Sequence, residues 1–243
     1  LDPKTGAVLA MVSSPSYDAN PLAQPNKAKV NAAWQKLNKD DNKPLINRAI
    51  EQTYPPGSTF KVVTSAMFLS EDTSRDENTV VDAPDALPLP GVVQPLRNYR
   101  GESCGGQATM LRALAISCNT PFAKIGMDLG YDRLKEQAER FGVGKPLEIP
   151  LYVQPSDIGP QEDKAALAQT SIGQRSNRMT PLQMAMVAAG IANNGTVMKP
   201  YLINKIVAPD GTELEVTEPE ELTEAVSPEV AAELTRMMVG VVQ

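Results

Sequence analysis

Tyr54-Pro55-Pro56-Gly57-Ser58-Thr59-Phe60-Lys61-Val62-Val63-Thr64-Ser65-Ala66-Met67-Phe68-Leu69 is the stretch from which the rest of the chain is read. Its second half is a mostly apolar run that predicts a helix. Proline is tolerated at or before a helix start, so Pro55 and Pro56 place Ser58 close to the first turn. Ser58 and Lys61 are three residues apart, a spacing that shares a helix face. A serine hydroxyl is a poor nucleophile until a base takes its proton. A lysine kept neutral by burial or by nearby cations can be that base. Amides at the helix start are also placed to help hold an oxyanion. The plain alternative is that Ser58 caps a helix and Lys61 is a solvated charge. The pair taken alone favours that alternative.

Composition narrows the chemistry. The 243 residues contain no histidine, which excludes a Ser-His-Asp triad and any imidazole zinc site. Two cysteines exclude a four-thiolate metal site. Lysine is therefore the base to expect for any acyl transfer. A net charge of -6 argues against a nucleic-acid partner, whose phosphates need a basic surface. The length predicts one large domain, or one domain with a subdomain. Few aromatics and 21 prolines predict long ordered loops. There is no signal peptide and no apolar run long enough to cross a bilayer. The opening Leu1-Asp2-Pro3, without an initiator methionine, reads as a fragment or an excised domain. Cys104 and Cys118 are either inert buried thiols or a pair formed in an oxidising compartment, and their spacing leaves both open.

Taken in order, Asp2 to Gly6 predicts a turn and Ala7 to Ser13 a strand, apolar enough to be covered on both faces. Ser14 to Gln24 is a loop. Lys27 to Leu37 predicts a short polar helix with Trp34 and Leu37 turned inward. Asp82 to Gly106, with its prolines and glycines, predicts a long surface excursion with short strands. Thr109 to Ser117 regains helical spacing, and Ser117-Cys118-Asn119 sits at a break before a helix opened by Thr120-Pro121. Tyr131 to Phe141 is an amphipathic helix stopped by Gly142. Thr180-Pro181 and Ser227-Pro228 each open a further helix. Tyr201 to Val207 and Glu213 to Val216 predict a hairpin. The methionines Met179, Met184, Met186 and Met198 read as core. Helices in the middle and sheet segments at both ends predict an α/β or α+β domain whose terminal parts share a sheet.

These words in this order resemble the transpeptidase domain of penicillin-binding proteins, particularly the monofunctional class B type from actinobacteria. Asp2 to Ser13 resembles that family's opening hairpin. Asn47-Arg48-Ala49 and Tyr54 to Lys61 resemble the approach and the S-x-x-K motif. Ser117-Cys118-Asn119 resembles S-x-N, and Gly173-Gln174 with Thr180 to Ala185 resembles a stretch late in the domain. S-x-x-K and S-x-N are weak singly and strong together with their flanks. The resemblance covers nearly the whole chain. It implies an antiparallel sheet flanked by helices, with a helical subdomain, in the fold shared with serine β-lactamases.

The resemblance also implies roles. Ser58 would be the nucleophile and Lys61 its base, Ser117 a proton relay to the leaving amine, and Asn119 a hydrogen-bonding partner of the substrate amide. The implied reaction cross-links peptidoglycan stem peptides ending in D-Ala-D-Ala, and β-lactam antibiotics would acylate the same serine. No metal or cofactor is implied. Implied partners are cell-wall synthesis and division proteins, on the extracytoplasmic face of a bacterial membrane, with the membrane anchor and a non-catalytic domain outside this chain. That compartment makes a Cys104–Cys118 disulfide the expectation, pinning the excursion near the S-x-N turn.

The family's third motif, K-[ST]-G, is expected on a strand beyond the last helix, so the domain reads as incomplete at both ends. Lys4-Thr5-Gly6 reads as a turn and not as that motif. Two rivals follow. One is a serine β-lactamase or D,D-carboxypeptidase, which needs a deacylation base; Glu162 and Asp163 lie in a plausible loop. The other is a non-catalytic β-lactam sensor or division scaffold.

Overall fold

The computed structural model describes residues 1–242. The organising stretch forms a single 3-10 turn, Gly57–Phe60, that runs directly into a helix, Lys61–Glu71. This helix is α2, because a polar helix α1 (Lys27–Asn38) precedes it. Lys61, Val63, Thr64, Ser65, Ala66, Met67 and Leu69 of α2 are all buried. A helix buried nearly all round must be surrounded by others. Around it pack α3 (Met110–Ala115), α4 (Thr120–Leu129), α5 (Tyr131–Arg140) and α8 (Pro228–Val239). Helices α6 (Lys164–Thr170) and α7 (Pro181–Ala192) complete the shell, α6 on α4 and α7 on α8. Close approach of α4 to the end of α6 requires Gly126, where a Cβ would collide with Ser171.

Local chemistry sets the helix starts. Thr109, Thr180 and Ser227 accept hydrogen bonds from the amides of Arg112, Gln183 and Val230, satisfying donors that a helix leaves orphaned. Pro181 and Pro228 then occupy the first helical position, where no amide is needed.

The strands pair antiparallel in four two-stranded sheets among the described residues. β1 (Val80–Ala83) pairs with β4 (Gly106–Thr109), placing Val80 opposite Thr109 and Ala83 opposite Gly106. Between them β2 (Ala86–Leu87) pairs with β3 (Leu96–Arg97). The predicted excursion is thus a pair of nested hairpins. β5 (Thr196–Met198) pairs with β8 (Glu221–Glu224), and β6 (Lys205–Val207) with β7 (Glu213–Val216) in the predicted hairpin.

Four expectations are corrected. Residues 8–13 form no strand and join no sheet. Ala7 bridges Tyr201 in parallel, Val8 N donates to Tyr201 O, and Leu9 and Val12 are 72% and 82% exposed. The two ends of the chain therefore meet at one bridge and share no sheet among the described residues. Trp34 is 51% exposed and α1 buries no residue, so Trp34 does not turn into the core. Met179 and Met186 are core, as expected, whereas Met184 and Met198 are only half-buried. Asp2 to Gly6 is the predicted turn, closed by Asp2 N on Ala7 O and Gly6 N on Asp2 O.

Candidate active site

Ser58 sits exposed in the 3-10 turn, and its approach is held from behind by the segment before α7. Tyr54 and Met179 exchange both backbone hydrogen bonds at 2.9 Å, and Gly57 N donates to Gly173 O at 2.9 Å. Gly173 has φ +73°, and any Cβ there would run into the Gly57 backbone. Glycine is thus required on both counts, conformation and close approach.

Lys61 opens α2 one turn on and is fully buried. Its Nζ donates to Ser117 O at 2.8 Å, to Ser117 Oγ at 3.1 Å and to Asn119 Oδ1 at 2.8 Å. The Phe122 ring lies 5.7 Å from the same nitrogen, within cation–π range. Burial disfavours the ammonium and brings its pKa from an ordinary 10.5 down to about 7. No carboxylate pairs with it among the described residues.

Ser117 Oγ donates to Ser58 Oγ at 2.9 Å, and no hydrogen bond joins Ser58 to Lys61 among the described residues. The shared face expected of residues three apart does not become a direct bond: Ser117 stands between the two. Ser117 occupies the left-handed region, φ +56°, which bends its hydroxyl toward both partners. The unit Ser58–Ser117–Lys61–Asn119 is continuous. With Lys61 neutral, its two N–H groups serve Ser117 O and Asn119 Oδ1, and its lone pair faces Ser117 Oγ. Both hydroxyls can turn so that a proton passes from Ser58 through Ser117 to it, while Asn119 keeps an amide group at the edge of the site.

Cys104 and Cys118 form a disulfide, with Cα atoms 6.3 Å apart, which ties the excursion to the S-x-N turn. Two more residues of the excursion hold the turn. Asn119 Nδ2 donates to Arg97 O at 3.1 Å, and Asn98 Oδ1 accepts from Asn119 N at 2.8 Å. Asn119, though at the N-cap position of α4, makes no capping bond with its own side chain. Neither Arg97 nor Asn98 was marked by any motif.

Beside Ser58 opens an apolar cavity of about 380 Å³, walled by Val62, Leu114, Ser117, Met184 and Val187. The unburied face of Met184 belongs to this wall. Glu162 and Asp163 are elsewhere: Glu162 pairs with Arg175 at 2.7 Å, and Asp163 caps α6 through Ala166 N at 2.8 Å. Both line a separate cavity of about 160 Å³ with Met127 and Tyr131.

An exposed serine linked through a second hydroxyl to a buried lysine of lowered pKa, on a helical domain, is an arrangement suited to acyl transfer through serine. The chain belongs to the family of penicillin binding protein transpeptidase domains, whose model it matches over residues 1–243. It is 48% identical to the peptidoglycan D,D-transpeptidase PbpA of Mycolicibacterium smegmatis, over all of this chain and 50% of that protein. It is 46% identical to PbpA of Mycobacterium tuberculosis, over 99% of this chain and 49% of that protein. Among solved structures, the imipenem acyl-enzyme complex of penicillin-binding protein A from M. tuberculosis superposes with a TM-score of 0.94. That match is 45% identical and covers 99% of this chain and 56% of that one. A D,D-transpeptidase domain from Eggerthella lenta superposes at 0.88, with 32% identity, 100% of this chain and 60% of that one. The chain spans about half the length of the curated relatives it matches.

Proposed function

We propose that this chain carries the acyl-serine site of a peptidoglycan D,D-transpeptidase that β-lactams also acylate. The observation that carries the reading is the hydrogen-bonded unit of Ser58, Ser117, Lys61 and Asn119 around an ammonium whose pKa lies near 7.

In the first half-reaction Ser58 Oγ attacks the carbonyl of the penultimate D-Ala. Its proton passes through Ser117 to neutral Lys61, and an ester forms. The same proton then returns along Ser117 to the departing nitrogen, so D-Ala leaves as the free amine. In the second half the amine of a neighbouring stem peptide attacks the ester, its proton takes the reverse path, and Ser58 is regenerated. General acid–base transfer of this kind contributes roughly 10²- to 10⁴-fold. Asn119 would orient the donor peptide's amide. A β-lactam enters the same first step, but its leaving nitrogen stays tethered to the acyl group.

Hydrolysis of the acyl-enzyme by a serine β-lactamase route needs a base at the ester. Glu162 and Asp163 are committed to Arg175 and to the α6 cap, which favours the transferase reading. The substrate and the disulfide are consistent with work at the extracytoplasmic face of a bacterial membrane, beside cell-wall synthesis and division proteins. The test is intact mass of the full-length protein after incubation with benzylpenicillin. The expected result is one stable adduct, mapped to Ser58 and absent from Ser58→Ala. No adduct on the parent protein would overturn the reading.

A further inference from the structure

The turn that carries Ser117 and Asn119 has a keystone outside both motifs. Asn98 follows β3 and is 5% exposed. Its Oδ1 receives two backbone donors from the start of α4, Asn119 N at 2.8 Å and Thr120 N at 3.2 Å, while the Thr120 hydroxyl donates to Pro84 O at 2.7 Å. This is an N-cap delivered from another part of the chain, 21 residues away from Asn119. Its consequence is local and chemical. Asn98 fixes the backbone of Asn119 at the head of α4, and the Asn119 side chain spans from Arg97 O to Lys61 Nζ. Nδ2 of Asn98 is buried and finds no hydrogen-bond partner among the described residues. A buried unpaired donor is costly, so the amide is tolerated there for its oxygen.

We infer that Asn98 is a positioning residue for the acyl-transfer site, holding Asn119, and through it Lys61, in the geometry that acylation needs. The inference rests on the acyl-serine reading above. Asn98 touches neither Ser58 nor any reacting atom, so it acts through Asn119. The Cys104–Cys118 bridge holds the neighbouring residue of the same turn, but it constrains the chain covalently and accepts no hydrogen bond from α4. The two anchors are therefore separable by experiment.

The experiment follows acylation of the full-length protein by benzylpenicillin under quenched-flow mass analysis, resolving the first-order acylation constant from the binding constant. Asn98→Ala removes the acceptor. The acylation constant is expected to fall by about 100-fold, a size typical of a slightly misplaced catalytic group, while binding changes far less. Asn98→Asp keeps the accepting oxygen and replaces the unpaired donor, so most of the rate is expected to return. Equal acylation constants for the parent and Asn98→Ala overturn the inference, as does an Asn98→Asp protein as slow as the alanine variant. Should the alanine variant fail to fold, the aspartate comparison stands alone, and loss of rate in it overturns the inference. Failure of the acyl-serine reading would look different: the parent itself would form no adduct. The crystal structure of Asn98→Ala then decides separately, because an Asn119 side chain unmoved from Lys61 contradicts the positioning role.

Discussion

Lys61 Nζ lies 3.1 Å from Ser117 Oγ, and it is Ser117, not Lys61, that hydrogen-bonds the Ser58 hydroxyl. Any proton leaving Ser58 toward the lysine along hydrogen bonds of the free site must cross that hydroxyl. Ser117→Ala should therefore slow acylation by roughly 10²- to 10³-fold with Ser58 and Lys61 both intact. Timed intact-mass analysis with benzylpenicillin measures it. A rate within a few-fold of the parent would show that Lys61 reaches Ser58 directly once a ligand binds.

Acylation should rise with pH through a midpoint near 7, as Lys61 loses its proton. Lys61→Arg cannot follow, because a guanidinium stays charged, and should be inactive across the range. The same titration enters stability. Lys61 binds its proton less well when folded, so between about pH 7 and 10.5 the unfolded chain holds more protons and stability increases with pH. Below 7 the full burden of burying this lysine is felt, on the order of 5 kcal/mol from the size of the shift. Lys61→Met should flatten that dependence in denaturant titrations at stepped pH. An unchanged slope would place the lysine's proton elsewhere.

The disulfide closes a loop across a separation of 14 residues. Loops of that size stabilise by about 3 kcal/mol in the chain-entropy account. The double change Cys104→Ala and Cys118→Ala should lower Tm by roughly 10 °C. It should also slow acylation, because Cys118 lies between Ser117 and Asn119. Calorimetry and the mass assay read the two effects separately, and a lowered Tm with unchanged acylation would make the bridge a staple only.

Gly173→Ala should disturb the nucleophile from behind. Its φ of +73° strains alanine, and the added Cβ meets Gly57, which precedes Ser58. Gly91 provides the control: φ is +72°, and a Cβ there meets nothing within 4 Å. Gly91→Ala should cost about 1 kcal/mol of backbone strain and leave acylation alone. Gly173→Ala should cost more and also slow acylation. Equal effects from the two would exclude the contact with Gly57 as the cause.

Much of this site is legible because its signals are local. Ser58 and Lys61 share one word of sequence, Ser117 and Asn119 another, and the caps Thr180 and Ser227 announce their helices within four residues. The parts that escaped depend on what lies across space. An apolar stretch such as 8–13 looks covered on both faces, yet nothing in a segment states which partners face it, and Leu9 and Val12 are bare. Trp34 looks like packing by its type and is not. Asn98 contributes through a partner 21 residues away and carries no spacing that could mark it. The indirect link between Ser58 and Lys61 was hidden for a related reason. Helical periodicity says which residues share a face, but a long lysine side chain chooses its partners from whatever the fold brings near.

Ser117 holds φ +56° while its hydroxyl joins Ser58 to Lys61. Threonine offers the same hydroxyl, but a β-branched residue is a poor occupant of that backbone region. Glycine and asparagine accept the backbone readily and lack the hydroxyl. The position is thus closed to substitution from two independent sides. For the proposed proton relay, almost no other residue meets both demands at Ser117.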